Sequence, residues 1–319
     1  MSESIEMLEN NPESMDLIDM NPKPKIAIVG VGGFDAVILQ NSPLRGKFDF
    51  SVHGVVLRTA PLFTNLDVNL YKNGLELLQT VDVKYKPDIV HVIGLLDVLP
   101  IISALGYPLI FTAIGHEVRS KGWKFAMEKG ARYADIITVV SEDLMNLKNC
   151  PEHVQLVRNV ADPIHFERKN DPVEGLHLIK QFDRHNADDD LALKKYKSLP
   201  VSKEGKLWIN KNFYPYAFYP YFLEMFDHFF DFKFIRNTSM KDGEELPLSR
   251  TALELLTLGK CKVYHQDKIL TELPAEYSYD LFVETWESLY DTLLEYIQRN
   301  ERQADSNRIK SRSKSESTD

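Results

Sequence analysis

Apolar residues in the first half of the chain fall in short unbroken runs at 25–29, 52–57, 89–93, 109–112, 136–140 and 154–157, with helix-like spacing between them. A strand open to solvent on one face alternates apolar and polar residues, whereas one covered on both faces reads as a continuous run. The runs therefore predict a parallel sheet with helices on both sides. From 170 to 205 the chain turns polar and charged (NDPVEGLHLIKQFDRHNADDDLALKKYKSLPVSKEG), the pattern of a linker carrying one short helix. A second, smaller α/β pattern follows, with a strand at 207–210, an aromatic helix at 214–226, a strand at 229–235, a helix at 250–258, a strand at 262–264 and a last helix at 279–298. In that last helix Leu281, Phe282, Trp286, Leu289, Tyr290, Leu293, Leu294 and Ile297 form a 3.6-residue stripe, so one face must pack on a large apolar surface. Residues 1–22 and 301–319 lack apolar periodicity and are expected to be disordered. The expected domains are thus an α/β unit at 23–169, the linker at 170–205 and a smaller α/β unit at 206–300.

Length and composition narrow the class. The 319 residues suffice for about two domains, and a hydrophobic content of 44% with 27% charged residues excludes a fibre or wholesale disorder. With 38 basic against 47 acidic residues the net charge is −9, which provides no overall field for a nucleic-acid backbone. Cys150 and Cys261 stand far apart with no paired spacing, which fits a reducing compartment better than a disulfide framework or a cysteine zinc site. The apolar stretch 89–115 is long enough to raise the question of a membrane span. Asp97 near its middle would cost about 2.5–3.5 kcal/mol there, and Gly94, Pro100, Gly106 and Pro108 divide it into a strand, a helix and a strand. No basic residue precedes Lys23 and no apolar core follows, so a secretory signal is not expected and the location is expected to be cytoplasmic.

In an open parallel sheet ligands bind beyond the carboxyl ends of the strands, where loops emerge and helix N-termini point into the crevice. Those loops carry Gly30-Val31-Gly32-Gly33, Gly94, Gly115-His116-Glu117 and Ser141-Glu142. The glycine loop departs from the dinucleotide fingerprint, because its third glycine would fall at Asp35 and the second strand ends at Arg58 rather than an acid. NAD is disfavoured, while Arg58 keeps an NADP-dependent reductase as a minor reading. His116, between a strand end and a helix, stands at the crevice, whereas His91 lies inside a strand as a satisfied core residue. Asp188-Asp189-Asp190 has the D-x-D spacing of a metal–diphosphate site, but a helix and no strand adjoins it. These acids read as helix N-terminal stabilisers, and no metal site is expected. In the helix after Ser249, Thr251, Glu254 and Thr257 make a narrow polar stripe on an otherwise apolar cylinder, and Gly259 closes it.

Several of these features recur together in nucleotide-sugar glycosyltransferases. Pro87-Asp88-Ile89-Val90-His91, LIFTAIGHEVR ending in His116 and Arg119, ADIITVVSEDL through Ser141, VRNVADPIHF and ELPLSRTALELLTLGKCKVY resemble, in order and spacing, GT-B enzymes of the retaining family 4, in an archaeal-like form. The resemblance covers most of residues 24–298. It implies two Rossmann-like domains of GT-B type facing across a cleft, the second smaller, with the acceptor on the first and the activated sugar on the second. It also implies that His116 contacts the transferred sugar and Glu254 the nucleotide ribose, these two being the catalytic candidates. Gly32, Gly33, Arg158 and Asn159 would reach the donor phosphates, and Ser249 and Thr251 fall in the donor segment. Arg119 and Ser141 lie on the acceptor side. The glutamate that the family carries eight residues before Glu254 is replaced by Leu246, and the hinge glycine is missing from Asn159-Val160-Ala161-Asp162. After the strand at 207–210 only Lys211 stands where a phosphate clamp would be.

The reading is a glycosyltransferase that moves a hexose from a nucleotide-diphosphate sugar to a saccharide, lipid-linked or protein acceptor, with no cofactor besides the donor. The alternative is a non-catalytic relative that binds a saccharide or nucleotide or serves as a partner subunit. The aromatic helix at 214–226 admits peripheral membrane contact, although a buried core helix fits such an apolar stripe better.

Overall fold

The computed structural model describes residues 22–30, 35–55, 66–180, 189–211, 214–232 and 247–316, with residues 55, 116, 189, 301 and 304–316 described in their backbone alone. The first half is a seven-stranded sheet of β1 (Lys25–Val29), β2 (Asp49–Val55), β3 (Val68–Tyr71), β4 (Ile89–Ile93), β5 (Leu109–Ala113), β6 (Ile136–Val139) and β7 (Gln155–Leu156). Its order is β3-β2-β1-β4-β5-β6-β7, and every neighbouring pair is parallel. Between the strands run α1 (Asp35–Asn41), α2 (Gly74–Thr80), α3 (Leu99–Ala104), α4 (His116–Arg119), α5 (Gly122–Lys129) and α6 (Glu142–Met145). β1, β4 and β5 are buried almost end to end, which is why they read as unbroken apolar runs. The stretch 89–115 is β4, α3 and β5, and among the described residues no helix is long and apolar enough to cross a membrane. Gly30 ends β1 with φ +128°, and a Cβ there would lie 2.2 Å from the Ile93 carbonyl oxygen, so the approach to β4 excludes any side chain.

The second half has β8 (Val173–Lys180), α7 (Asp189–Ser198), β9 (Lys206–Asn210), α8 (Tyr219–Leu223), β10 (Phe226–Phe230), α9 (Arg250–Leu258), β11 (Lys262–His265), β12 (Lys268–Leu270) and α10 (Tyr279–Glu316). Five strands pair in the order β12-β11-β10-β8-β9, all parallel except the β11–β12 hairpin. The class is the expected one, α/β with two Rossmann-like sheets, the second smaller.

Three boundaries differ from those expected. Residues 170–205 are not a linker: β8 is an inner strand of the second sheet, and α7 packs Tyr196 against Ile179 and Phe230. Charges before and after its short apolar centre hide β8 in the sequence. The aromatic stretch 214–226 is not one helix. Pro215 and Pro220 split it into a 3-10 turn at Tyr216–Phe218 and the short α8, and Phe226 already opens β10. The last helix does not belong to the second core. Phe282, Trp286, Leu289, Tyr290 and Leu293 of α10 lie against Ile26, Ile28, Ile89 and Ile93, where with α1 they cover one face of the first sheet. Its backbone continues to Glu316, through most of the segment expected to lack structure. Residues 1–21 lie outside the described residues.

His91 is a satisfied core residue, with Nδ1 2.9 Å from the Tyr290 hydroxyl and Nε2 2.7 Å from the Thr112 hydroxyl. The two halves meet directly, since Val37 of α1 is buried in the second core beside Ala161, Phe166 and residues of α9.

Candidate functional site

Parallel strands deliver their last residues to one edge of the sheet. In the second sheet that edge gathers Lys180 at the end of β8, Asn210 at the end of β9, Asp231 just beyond β10 and His265 at the end of β11. α9 starts on the same edge. Ser249 is its N-cap, the hydroxyl accepting from the Ala252 N–H at 3.1 Å. The Ser249 N–H itself donates to Asp231 Oδ2 at 2.8 Å, and that oxygen lies 3.2 Å from His265 Nδ1. Strand ends thus fix where α9 begins.

The stripe along α9 faces inward. Lys180 Nζ donates to the Thr251 hydroxyl at 2.9 Å and to the Tyr219 hydroxyl, and those two hydroxyls are 3.0 Å apart. Glu254 is 2% exposed, and its Oε2 has no hydrogen-bond partner among the described residues. Burial pushes the Glu254 carboxyl up to about 7, against the pull of Lys180 and Arg250 and with a push from Asp35. Arg250, the first residue of α9, reaches across to the first half, where Nη2 donates to Asp35 at the start of α1 and to Asn159 Oδ1, the latter at 2.9 Å. Burial alone would lower the Arg250 guanidinium, but the charge and hydrogen bond of Asp35 outweigh it and hold it above its ordinary value. Its Nη1 is buried with no partner among the described residues. Desolvation raises Tyr216 and Tyr219, and the Glu254 charge adds to both.

Of the residues singled out in the sequence, Asn159, Ser249, Thr251 and Glu254 come together at this seam. Arg119 and Ser141 form a second group on the first sheet. The Arg119 guanidinium grips Asp143 through Nε at 2.6 Å and Nη2 at 2.9 Å, and Nη2 also donates to the Ser141 hydroxyl at 3.1 Å. Ser141 is the N-cap of α6 by position, yet its hydroxyl serves Arg119 rather than the helix. Arg158 pairs with Glu142 of the first half and faces the Tyr277 ring of the second. Lys211 is exposed just past β9, an edge strand of the second sheet, and joins neither group. His116 opens α4 after Gly115, its side chain outside the described residues, and Gly32, Gly33, Arg58, Asp188 and Leu246 also lie outside them. Asp189 and Asp190 occupy the first turn of α7. Two cavities are described, about 170 Å³ beside His165, Lys169 and Glu224 and about 480 Å³ beside Lys23, Arg45 and Asp67, and no residue of α9 lines either.

Arg250, Asp35, Lys180 and Tyr219 were not foreseen. The readable signal for Arg250 is its spacing from Glu254, four residues along a nearly buried helix, where opposite charges meet on one face. Lys180 was hidden with its strand.

No protein-family model matches the chain, and no curated protein matches it. Among solved structures the chain is similar to an alpha-glucosyltransferase in complex with UDP and a 13-mer DNA containing an HMU base, at 10% identity and a TM-score of 0.44 over 65% of this chain and 62% of that one. It is also similar to UDP-N-acetylglucosamine 2-epimerase from Rickettsia bellii, at 12% identity and a TM-score of 0.38 over 66% of this chain and 74% of that one. A third likeness is to Phytolacca americana UGT2 complexed with UDP-2-fluoro-glucose and pterostilbene, at 11% identity and a TM-score of 0.40 over 80% and 82% of the two chains.

Proposed function

We propose that the protein is a GT-B type glycosyltransferase that transfers a hexose from a nucleotide-diphosphate sugar, with the donor seated at the seam between the two sheets. The observation that carries this reading is α9. It presents a buried carboxyl with an unpaired oxygen, Glu254, and a part-buried cation with a buried, unpaired nitrogen, Arg250, at the carboxyl edge of a parallel sheet where it meets the other half. A protonated Glu254 offers one O–H donor and one acceptor, the pair a ribose or sugar hydroxyl needs. Arg250 and Lys180 supply positive charge where a departing nucleoside diphosphate develops negative charge, in a site largely cleared of water. The resemblance to retaining family 4 enzymes adds His116 as the sugar contact and Gly32 and Gly33 as the diphosphate approach. The reading takes the sugar nucleotide as donor substrate with no cofactor, a cytoplasmic location and an acceptor on the first-half side near Arg119 and Ser141.

The test is a thermal-shift screen against UDP, GDP, ADP and their sugars, followed by hydrolysis of the sugar that binds. One nucleotide should raise Tm, its sugar should be slowly hydrolysed, and Glu254→Gln should abolish hydrolysis while the protein stays folded. Binding without turnover on any donor would favour a nucleotide-binding partner subunit. A shift with NADPH but none with UDP or GDP would return the reductase reading.

A further inference from the structure

β8 and β10 are neighbours in the second sheet, with His177 opposite His228. The register slips between Phe226 and His228, a bulge of the kind that re-aims side chains. In a regular strand Asp227 and His228 would point to opposite faces. Here Asp227 Oδ1 lies 2.8 Å from His228 Nδ1, and the rings of His177 and His228 are 4.9 Å apart. One ligating atom from each of the three residues falls within 4.8 Å of the others. His177 is 1% exposed, and the side chains of Asp227 and His228 are each 15% exposed. His177 Nε2 is buried and makes no hydrogen bond among the described residues, whereas Asp227 Oδ1 and His228 Nδ1, also buried, have each other within ion-pair distance. Buried polar atoms are normally bonded, and leaving one such as His177 Nε2 without a partner costs about 1–3 kcal/mol.

The other polar atoms of His177 and Asp227 are held in place. His177 Nδ1 is 3.0 Å from the Tyr196 hydroxyl, and Asp227 Oδ2 accepts from the Gly175 N–H at 2.6 Å. With Nδ1 donating, His177 presents its Nε2 lone pair inward, as an outer partner arranges for a metal-bound imidazole. Residue 205 must be glycine for the chain to pass this close to the ring: a Cβ there would lie 2.3 Å from the Gly175 carbonyl oxygen and 2.5 Å from His177 Nε2. The Glu204 carboxylate adds negative charge near His177.

The geometry points to a binding site for a divalent transition-metal ion held by His177, Asp227 and His228. Two imidazoles and a carboxylate suit Zn²⁺, whereas Mg²⁺ and Ca²⁺ prefer oxygen. Tetrahedral bonds of about 2.0–2.1 Å put ligand atoms about 3.3 Å apart, so separations that now lie within 4.8 Å would close by at most about 1.5 Å on binding, and the Asp227–His228 pair would open from 2.8 Å by about 0.5 Å. His177 precedes Lys180 by three residues, roughly 10 Å back along β8. The ion would therefore brace β8 to β10 without touching the seam, and the site stands whether or not the protein is a transferase.

Full-length protein stripped with a chelator is titrated with Zn²⁺ in competition with a chromophoric chelator. It is expected to bind one equivalent and to melt higher with Zn²⁺ but not with Mg²⁺. Asp227→Asn and His228→Gln should each weaken binding about 100-fold or more, and Tyr196→Phe, which removes only the outer partner, about 10- to 100-fold. His153→Ala, at an exposed histidine elsewhere, should change nothing. The proposal is overturned if the wild type binds no stoichiometric Zn²⁺, or if folded Asp227→Asn or His228→Gln binds it as tightly as wild type. Should both ligand variants fail to fold, an unchanged affinity in Tyr196→Phe overturns it equally.

Discussion

Glu254 is buried beside two cations and a second acid, and its proton follows from that setting. The unfolded chain ionises it near 4.5, the folded protein at about 7. Between those values the native state keeps a proton that the unfolded chain has lost, so stability falls as pH rises through this window and is level above it. Wild type should lose roughly 3 kcal/mol between pH 4 and pH 8 that Glu254→Gln does not lose, read from urea unfolding at the two ends. Arg250 carries the opposite expectation. Its removal leaves Asp35, with a side chain only 9% exposed, without its partner, so Arg250→Ala should cost about 3–5 kcal/mol. The sequence exposed part of this cluster. Ser249, Thr251 and Glu254 were legible because a polar stripe on an apolar helix has few places to point. Asp35 was not, because its partner is 215 residues away and nothing local marks the pairing.

Strands buried on both faces were the most legible elements. β1 and β4 begin and end where their apolar runs do, and α9 is bounded by a serine cap and a closing glycine. β8 is hidden and β10 begins three residues before the expected strand at 229–235, because histidines and acids interrupt both, and those same residues converge at the bulge. Buried histidines in the first sheet lead to a pH effect of the other sign. Burial lowers His53 of β2 to about 4 and His91 of β4 to about 3. Below about pH 6.5 the unfolded chain takes up protons that the native sheet refuses, so stability present above that pH is lost as pH falls towards these values. Each histidine should contribute a slope of about 1.4 kcal/mol per pH unit between pH 6 and 4. His53→Gln should remove one of the two contributions in an acid-unfolding series.

The whole molecule is closed by its last helix. Its stripe was plain in the sequence, but the surface it covers was not, since periodicity says that a face is buried and not what buries it. Trp286, 3% exposed, stacks on Tyr290 and lies 4.5 Å from the His91 ring. Trp286→Ala should cost about 3–5 kcal/mol in chemical denaturation, and the loss should appear in first-sheet amides by hydrogen exchange. A chain emerging from the ribosome at about 5–20 residues per second completes β1 to β7 well before α10 exists. For several seconds the nascent sheet presents a bare apolar face, so a chaperone that shields it should matter more to the yield of this protein than the composition of either half would indicate.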